Sequence, residues 1–147
     1  MARVLHHAAV CTRDVERSLQ FYRDGLGLEV LIDQRFDGDW SRLFGARGDR
    51  LRSVFLGDPQ SADAGVVELV AFPAGLADGP GPAPEPATGF FLLSFFVGDV
   101  DETLARLQGL GFGDDVRRIE VAGPQGSVPM ATLRDADGVL VELIGAG

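Results

Sequence analysis

The stretch HHAAVCTRDVERSLQFYRDGLGLEV, residues 6–30, decides the fold, because the chain says it again with one change. Its counterpart is GFFLLSFFVGDVDETLARLQGLGFGDD, residues 89–115. Each opens on an apolar run, passes an Asp-Val-acid step suited to a helix start, and leaves through Gly-Leu-Gly. Aligning Asp14 with Asp99 carries His7 onto Leu92. One copy thus has a strand histidine where the other has an aliphatic residue. A repeat of this kind governs every later assignment.

Working outward, residues 3–12 are apolar and short, and read as a strand. Asp14 then caps a helix carrying Val15, Leu19, Phe21 and Tyr22, which Gly25 and Gly27 stop. Residues 28–36 read as a second strand, and Asp39 caps a short turn through Trp40, Leu43 and Phe44. Strands are expected at 50–56 and 65–72. Residues 73–88, PAGLADGPGPAPEPAT, have no periodicity and several helix breakers, so they read as a linker. The second half repeats the order: strand 89–97, helix 99–109, strands near 116–121, 128–134 and 139–144, with a turn at Asp135–Gly138.

Both halves are therefore βαβββ, the first lengthened near 37–49. A four-stranded sheet with one helix leaves a face uncovered. Two such units can cover one another and leave a concavity, the usual setting of a ligand site. The expected fold is α+β: one domain over 1–147, with module one at 1–72, linker 73–88 and module two at 89–147.

Composition sets bounds on function. The net charge of −9 argues against a nucleic-acid partner. No run approaches the ~18 apolar residues of a membrane span, and the start MARVLHHAAV has no long apolar segment of a leader. The single cysteine, Cys11, allows no intrachain disulfide, so a cytoplasmic setting is expected.

Three residues stand out chemically. His7 interrupts a strand of Ala, Val and Leu; it is either a satisfied strand histidine or a ligand. Glu68, in Val-Val-Glu-Leu-Val, and Glu142, in Val-Leu-Val-Glu-Leu, are each the lone charge in an apolar strand. A carboxylate there must be paired, protonated, metal-bound or turned to water. The two match as repeat equivalents, so the units offer four corners: His7, Glu68, Leu92 and Glu142. One nitrogen and two carboxylates with open positions match the donor set of a catalytic metal site.

At this point the chain resembles the vicinal oxygen chelate superfamily, also called the glyoxalase/bleomycin resistance/dioxygenase superfamily, over nearly its whole length. The resemblance rests on His7, on residues 14–24 (DVERSLQFYRD) with Gly27-Leu28-Glu29-Val30, on Val67-Glu68-Leu69, on residues 89–92 (GFFL), and on residues 135–143 (DADGVLVEL). It implies paired βαβββ modules forming a glyoxalase-like cleft between curved mixed sheets. It also implies metal ligands at His7, Glu68 and Glu142, and a fourth at 92, where many relatives have His. Leu92 removes a ligand that the ring-cleaving dioxygenases of the superfamily need for iron, so that reading ranks behind the others, as does a purely structural or partner-binding module. Two readings lead. One is a metal-dependent lyase or isomerase, epimerase-type, acting on a small oxygenated molecule, with a divalent ion on His7, Glu68 and Glu142, and Glu142 or Glu68 carrying the proton. The other is a metal-free protein that sequesters an antibiotic-type compound.

Further residues are candidates for the substrate pocket. Cys11 shares the face of His7, but no thiolate-activating neighbour is evident, so it reads first as buried packing and second as a pocket residue. Phe90, Phe91, Phe95 and Phe96 cover both faces of one strand and are expected mostly in the core, with Phe90, Leu92 and Phe96 available to wall a ligand. Trp40 reads as a lid or as surface packing. Arg50 and Arg52 read as outer-face charges or, for Arg52, as a contact to an anionic substrate. The expected partner is a small molecule, with neither nucleic acid nor membrane, and the modules pair within the chain or across a homodimer.

Overall fold

A computed structural model describes residues 3–146. The first unit runs β1 (His7–Cys11), α1 (Val15–Leu19), a π-helical turn (Gln20–Gly25), β2 (Glu29–Asp37), α2 (Trp40–Phe44), β3 (Arg50–Gly57), a 3₁₀ turn (Pro59–Ser61) and β4 (Val66–Ala71). The second runs β5 (Leu93–Phe96), α3 (Val100–Gly109), β6 (Arg117–Gly123), β7 (Gly126–Arg134) and β8 (Leu140–Ile144). No helix or strand falls within residues 72–92. Both long helical segments start by the same device. Asp14 is extended and its carboxylate accepts from the Arg17 N–H at 3.0 Å; Asp99 does the same for Glu102 at 2.9 Å. Each satisfies a donor that the first helical turn leaves orphaned. Each segment is followed by a left-handed glycine, Gly27 at φ +83° and Gly111 at φ +87°. The first segment has one residue more between its cap and that glycine. The π-helical turn takes up the extra residue.

Each unit builds one four-stranded sheet, in the orders β1-β4-β3-β2 and β5-β8-β7-β6. The first pair in each is parallel and the others antiparallel. This is the α+β, tandem βαβββ architecture read from the repeat. Alternation along the strands then sorts the side chains. Val54, Leu56, Val67 and Leu69 of the first sheet and Leu133, Val141 and Leu143 of the second turn to the helices. There they meet Phe21, Tyr22, Leu104, Leu107 and Phe112 in one shared core. Burying each such side chain contributes roughly 1.5–3 kcal/mol. The opposite faces are left free to form the cleft.

The helices hold the units together at very short range. A Cβ on Gly25 would stand 2.2 Å from Leu107 Cδ2, so any side chain there would force the buried Leu107 to move. Arg106 Nε donates to the Gly25 carbonyl at 3.2 Å, and Arg17 Nη1 to that of Leu110 at 2.7 Å. The turn between β7 and β8 adds a clasp that its Asp-Gly signature does not advertise. Tyr22 Oη donates to Asp135 Oδ2 at 2.6 Å, inside the core. Ser18 Oγ and the Arg13 N–H each donate to Asp137 at 3.2 Å. Burial raises the pKa of the Tyr22 phenol above its usual value, with Asp135 adding to the shift. Burial likewise raises that of the Asp135 carboxyl, against the hydrogen bonds it accepts.

The phenylalanine strand departs from expectation. It is shorter than 89–97, and Phe90 and Phe91 precede it. Phe90, Phe91 and Phe96 are exposed, and only Phe95 packs on the core. Leu93 and Phe95 take the helix side, so alternation puts Phe96 on the other face, 88% exposed.

Candidate active site

The parallel register of β1 and β4 sets Ala9 beside Glu68, with His7 beside Val66 and Cys11 beside Val70. These side chains share the face turned away from the helices. Across β3, Phe55 lies opposite Glu68. His7 is thereby brought against Phe55, ring centroids 5.1 Å apart and nearly perpendicular. Its Nε2 reaches Glu68 Oε2 at 3.4 Å, and the glutamate side chain keeps only 15% of its exposure. On the other side of the ring, His7 Nδ1 is 2.8 Å from His6 Nδ1. In the tautomer in which His6 donates to His7, the hydrogen of the His7 ring sits on Nε2, the atom nearest the Glu68 carboxylate. Burial raises the pKa of the Glu68 carboxyl, and the pull of His7 and His6 only partly offsets it.

The matching corner of the second unit is wired differently. Ser94, which stands where Ala9 stands in the first, donates from Oγ to Glu142 Oε1 at 2.7 Å. Leu92 immediately precedes β5, is half-buried and offers no donor atom. His7 and Glu68 therefore meet, while Glu142 is engaged by a hydroxyl. Among the described residues no three His, Cys, Asp or Glu side chains stand where they could share an ion. As folded, the donor set does not fit a three-ligand metal centre.

The remaining candidates scatter. Cys11 is exposed rather than packed, on the face of His7. Partial burial and the carboxylates of Asp137 and Glu68 raise the pKa of its thiol, the reverse of what a nucleophile needs. Trp40 stacks on Phe44, centroids 5.7 Å apart, and donates to the Phe36 carbonyl at 3.2 Å. It is surface packing at the end of β2. Phe90 is 74% exposed ahead of β5. Arg52 is turned the other way: three residues from Phe55, it takes the helix side of β3. There it forks onto Asp33 at 2.9 and 2.8 Å and approaches Glu16 at 3.5 Å. A small cavity of about 190 Å³ lies between the starts of β1 and β5, with His6, His7, Ser94 and Phe95 on its wall. His6 and Ser94 escaped the sequence reading. Ser94 had a signal, as the one polar residue in a run of Leu and Phe at the repeat position of Ala9.

Comparison with known proteins bears on this geometry. The family model of the glyoxalase/bleomycin resistance protein/dioxygenase superfamily matches residues 4–143. A lactoylglutathione lyase-like protein of Aspergillus terreus is 38% identical over 145 residues, spanning 95% of this chain and 74% of the relative. Among solved structures, a glyoxalase family protein from Bacillus cereus superposes with a TM-score of 0.75 at 22% identity, over 99% of this chain and 95% of its own. A glyoxalase I variant from Zea mays gives 0.67 at 22% identity, over 96% of this chain but 44% of the maize chain. With the paired βαβββ sheets and a family match that runs almost end to end, the chain belongs to the glyoxalase/bleomycin resistance protein/dioxygenase superfamily.

Proposed function

We propose that the protein is a lyase or isomerase that moves a proton on a small oxygenated molecule held in the cleft, with Glu68 as the proton carrier and His7 as its orienting partner. The observation carrying this reading is the 3.4 Å contact of His7 with a largely buried Glu68. A carboxylate with a raised pKa, shielded but still open to one side, is suited to take a proton from a carbon beside a carbonyl and return it to a neighbouring atom. His6 Nδ1, 2.8 Å from His7 Nδ1, braces the imidazole on the side away from Glu68. A divalent ion would need His7, Glu68 and Glu142 together, with Glu142 first released from Ser94. The proton transfer is accordingly assigned to Glu68 and His7, and Glu142 to holding the cleft wall. Since the A. terreus relative is described as lactoylglutathione lyase-like, lactoylglutathione and the glutathione hemithioacetal of methylglyoxal are the first compounds to try. The cytoplasm, where glutathione is abundant, suits both these compounds and a chain with one cysteine.

The test is deuterium wash-in from solvent into the substrate carbon, followed by NMR on wild type and Glu68→Gln. Exchange that is lost in Glu68→Gln while binding persists supports the reading. Exchange that survives removes Glu68 from the role. A sequestering protein is the second reading, favoured by the exposed apolar side chains Phe36, Ile32 and Phe96 on the faces turned from the helices. It predicts tight binding of an apolar compound, no exchange in wild type, and no effect of Glu68→Gln.

A further inference from the structure

We propose that a cavity on the helix side of the first sheet is a second binding site, one that takes a small organic oxyanion: a carboxylate or phosphate on an apolar body. The cavity measures about 400 Å³, within the range of ligand pockets, and lies away from His7 and Glu68. Arg13 follows β1, Arg35 lies on β2 and Arg52 on β3, and all three line it. Val15, Phe72 and Leu76 supply apolar wall. Arg52 is on the face opposite Phe55, so the cavity and the cleft occupy opposite sides of the same sheet.

Three observations make this a site for an anion rather than a stretch of solvated surface. First, Arg35 and Arg52 are direct cross-strand partners, which puts two positive charges side by side on one face. Such pairs are unfavourable unless an anion lies between them. The nearby acids are engaged elsewhere: Asp33, which also feels the charge of Arg35, is forked onto Arg52, and Glu16 approaches Arg52 from α1. Arg35 has no ion pair of its own among the described residues. Second, among the described residues the Arg13 side chain pairs only with Asp78, and both side chains are mostly exposed. An exposed pair of this kind is readily exchanged for another oxyanion. Third, basic residues are scarce: 13 against 22 acids, every one of them arginine, so three around one cavity is a concentration. The guanidinium is a flat fork that matches a carboxylate or phosphate edge with two hydrogen bonds. Asp33 and Glu16 hold Arg52 in place and temper the field, so a ligand would take Arg35 as its principal partner and Arg13 as its second, with its apolar body on Leu76 and Phe72.

The experiment is an NMR titration of the ¹⁵N-labelled full chain with benzoate, phenyl phosphate, inorganic phosphate and neutral benzyl alcohol. The expected result is saturable binding of benzoate or phenyl phosphate, with shifts centred on Arg35, Arg52 and Leu76. The stronger of the two identifies the head group. Arg35→Gln should weaken that binding by about fivefold or more, and Arg35→Lys should recover part of it, because the charge returns without the fork. His7→Ala should leave it unchanged. A thermal melt of each variant checks that it is folded; Arg35 is exposed, so the fold should tolerate the change. The proposal is overturned if neither aryl anion saturates, if benzyl alcohol binds as well as benzoate, if shifts centre on His7 and Glu68, or if folded Arg35→Gln binds like wild type. Binding of inorganic phosphate alone would also overturn it, since the apolar wall would then have no part.

Discussion

The two βαβββ units share a scaffold and give their matching glutamates different partners. Asp14 and Asp99 cap their helices in the same way, Gly27 and Gly111 follow them in the same backbone state, and Glu68 and Glu142 stand at the same place in the closing strand. The residues beside those glutamates differ. The first unit has His7 and Ala9, and its glutamate meets an imidazole; the second has Leu92 and Ser94, and its glutamate meets a hydroxyl. Two residues at or just ahead of the opening strand are thus enough to give equivalent carboxylates different partners. The helices show the same division. Tyr22 and Gly25, in the π-helical turn of the first unit, serve the contact between units, and the smooth helix α3 supplies Leu107 to meet them.

The largest effect should come from comparing the two glutamates in turnover. Glu68→Gln should cut the rate by about 10²–10⁴, the usual range for losing a general base or acid, with substrate affinity kept. Glu142→Gln should stay within about tenfold of wild type, because an amide can still accept from Ser94. Equal losses in the two variants would show that the units share the chemistry after all.

Next is the contact between the helices. Gly25→Ala forces a methyl group to within 2.2 Å of Leu107 Cδ2, and Leu107 is fully buried. The expected cost is about 1–3 kcal/mol, as for other overpacked cores, read as a lower urea midpoint. Gly109→Ala in the second unit meets no atom within 4 Å and serves as the control.

A smaller effect is expected from rebuilding the first corner in the second unit. The double change Leu92→His with Ser94→Ala gives Glu142 the neighbours that Glu68 has. Calorimetry with Co²⁺ and Zn²⁺ should then show affinity at least about tenfold above wild type, a change of roughly 1.4 kcal/mol. No gain in a folded double variant would mean that strand position alone does not aim the donors.

The smallest effect lies in pH dependence. Glu68 has a raised pKa in the folded protein, so between the ordinary carboxylate value and the raised one the native state holds more protons than the unfolded chain. The contribution of Glu68 to stability therefore falls as pH rises through that window, Asp135 adding a fall of the same sign, and Glu68→Gln should flatten the total. Turnover should run the opposite way, rising across the same window as Glu68 ionises. Urea midpoints and rates measured in parallel across the acidic range check both signs.

How much was legible in the sequence follows from the range of each cause. The caps, glycine exits and alternating strands are written within a few neighbouring residues, and they gave the element order and the repeat. The Phe-rich strand misled because Phe90 and Phe91 have the right composition for a strand yet lie ahead of the first residue that pairs. Sequence alone lets Arg52 read as an anion contact of the cleft, but three residues from Phe55 it falls on the other face. Its true partners, Asp33 and Glu16, come from β2 and α1. Cys11, with no thiolate-activating neighbour in sequence, reads as packing, whereas the sheet leaves it exposed.

By itself the sequence determined the two βαβββ units, the helix starts at Asp14 and Asp99, and the placing of a lone glutamate in each closing strand, because periodicity and capping are local properties of the chain. Only the tertiary structure decided which side chain each glutamate meets, that Tyr22 locks onto Asp135, and that Arg35 and Arg52 stand side by side over a cavity. Those pairings join residues far apart in the chain, and they exist only once strand register and the close helix contact at Gly25 have set the distances.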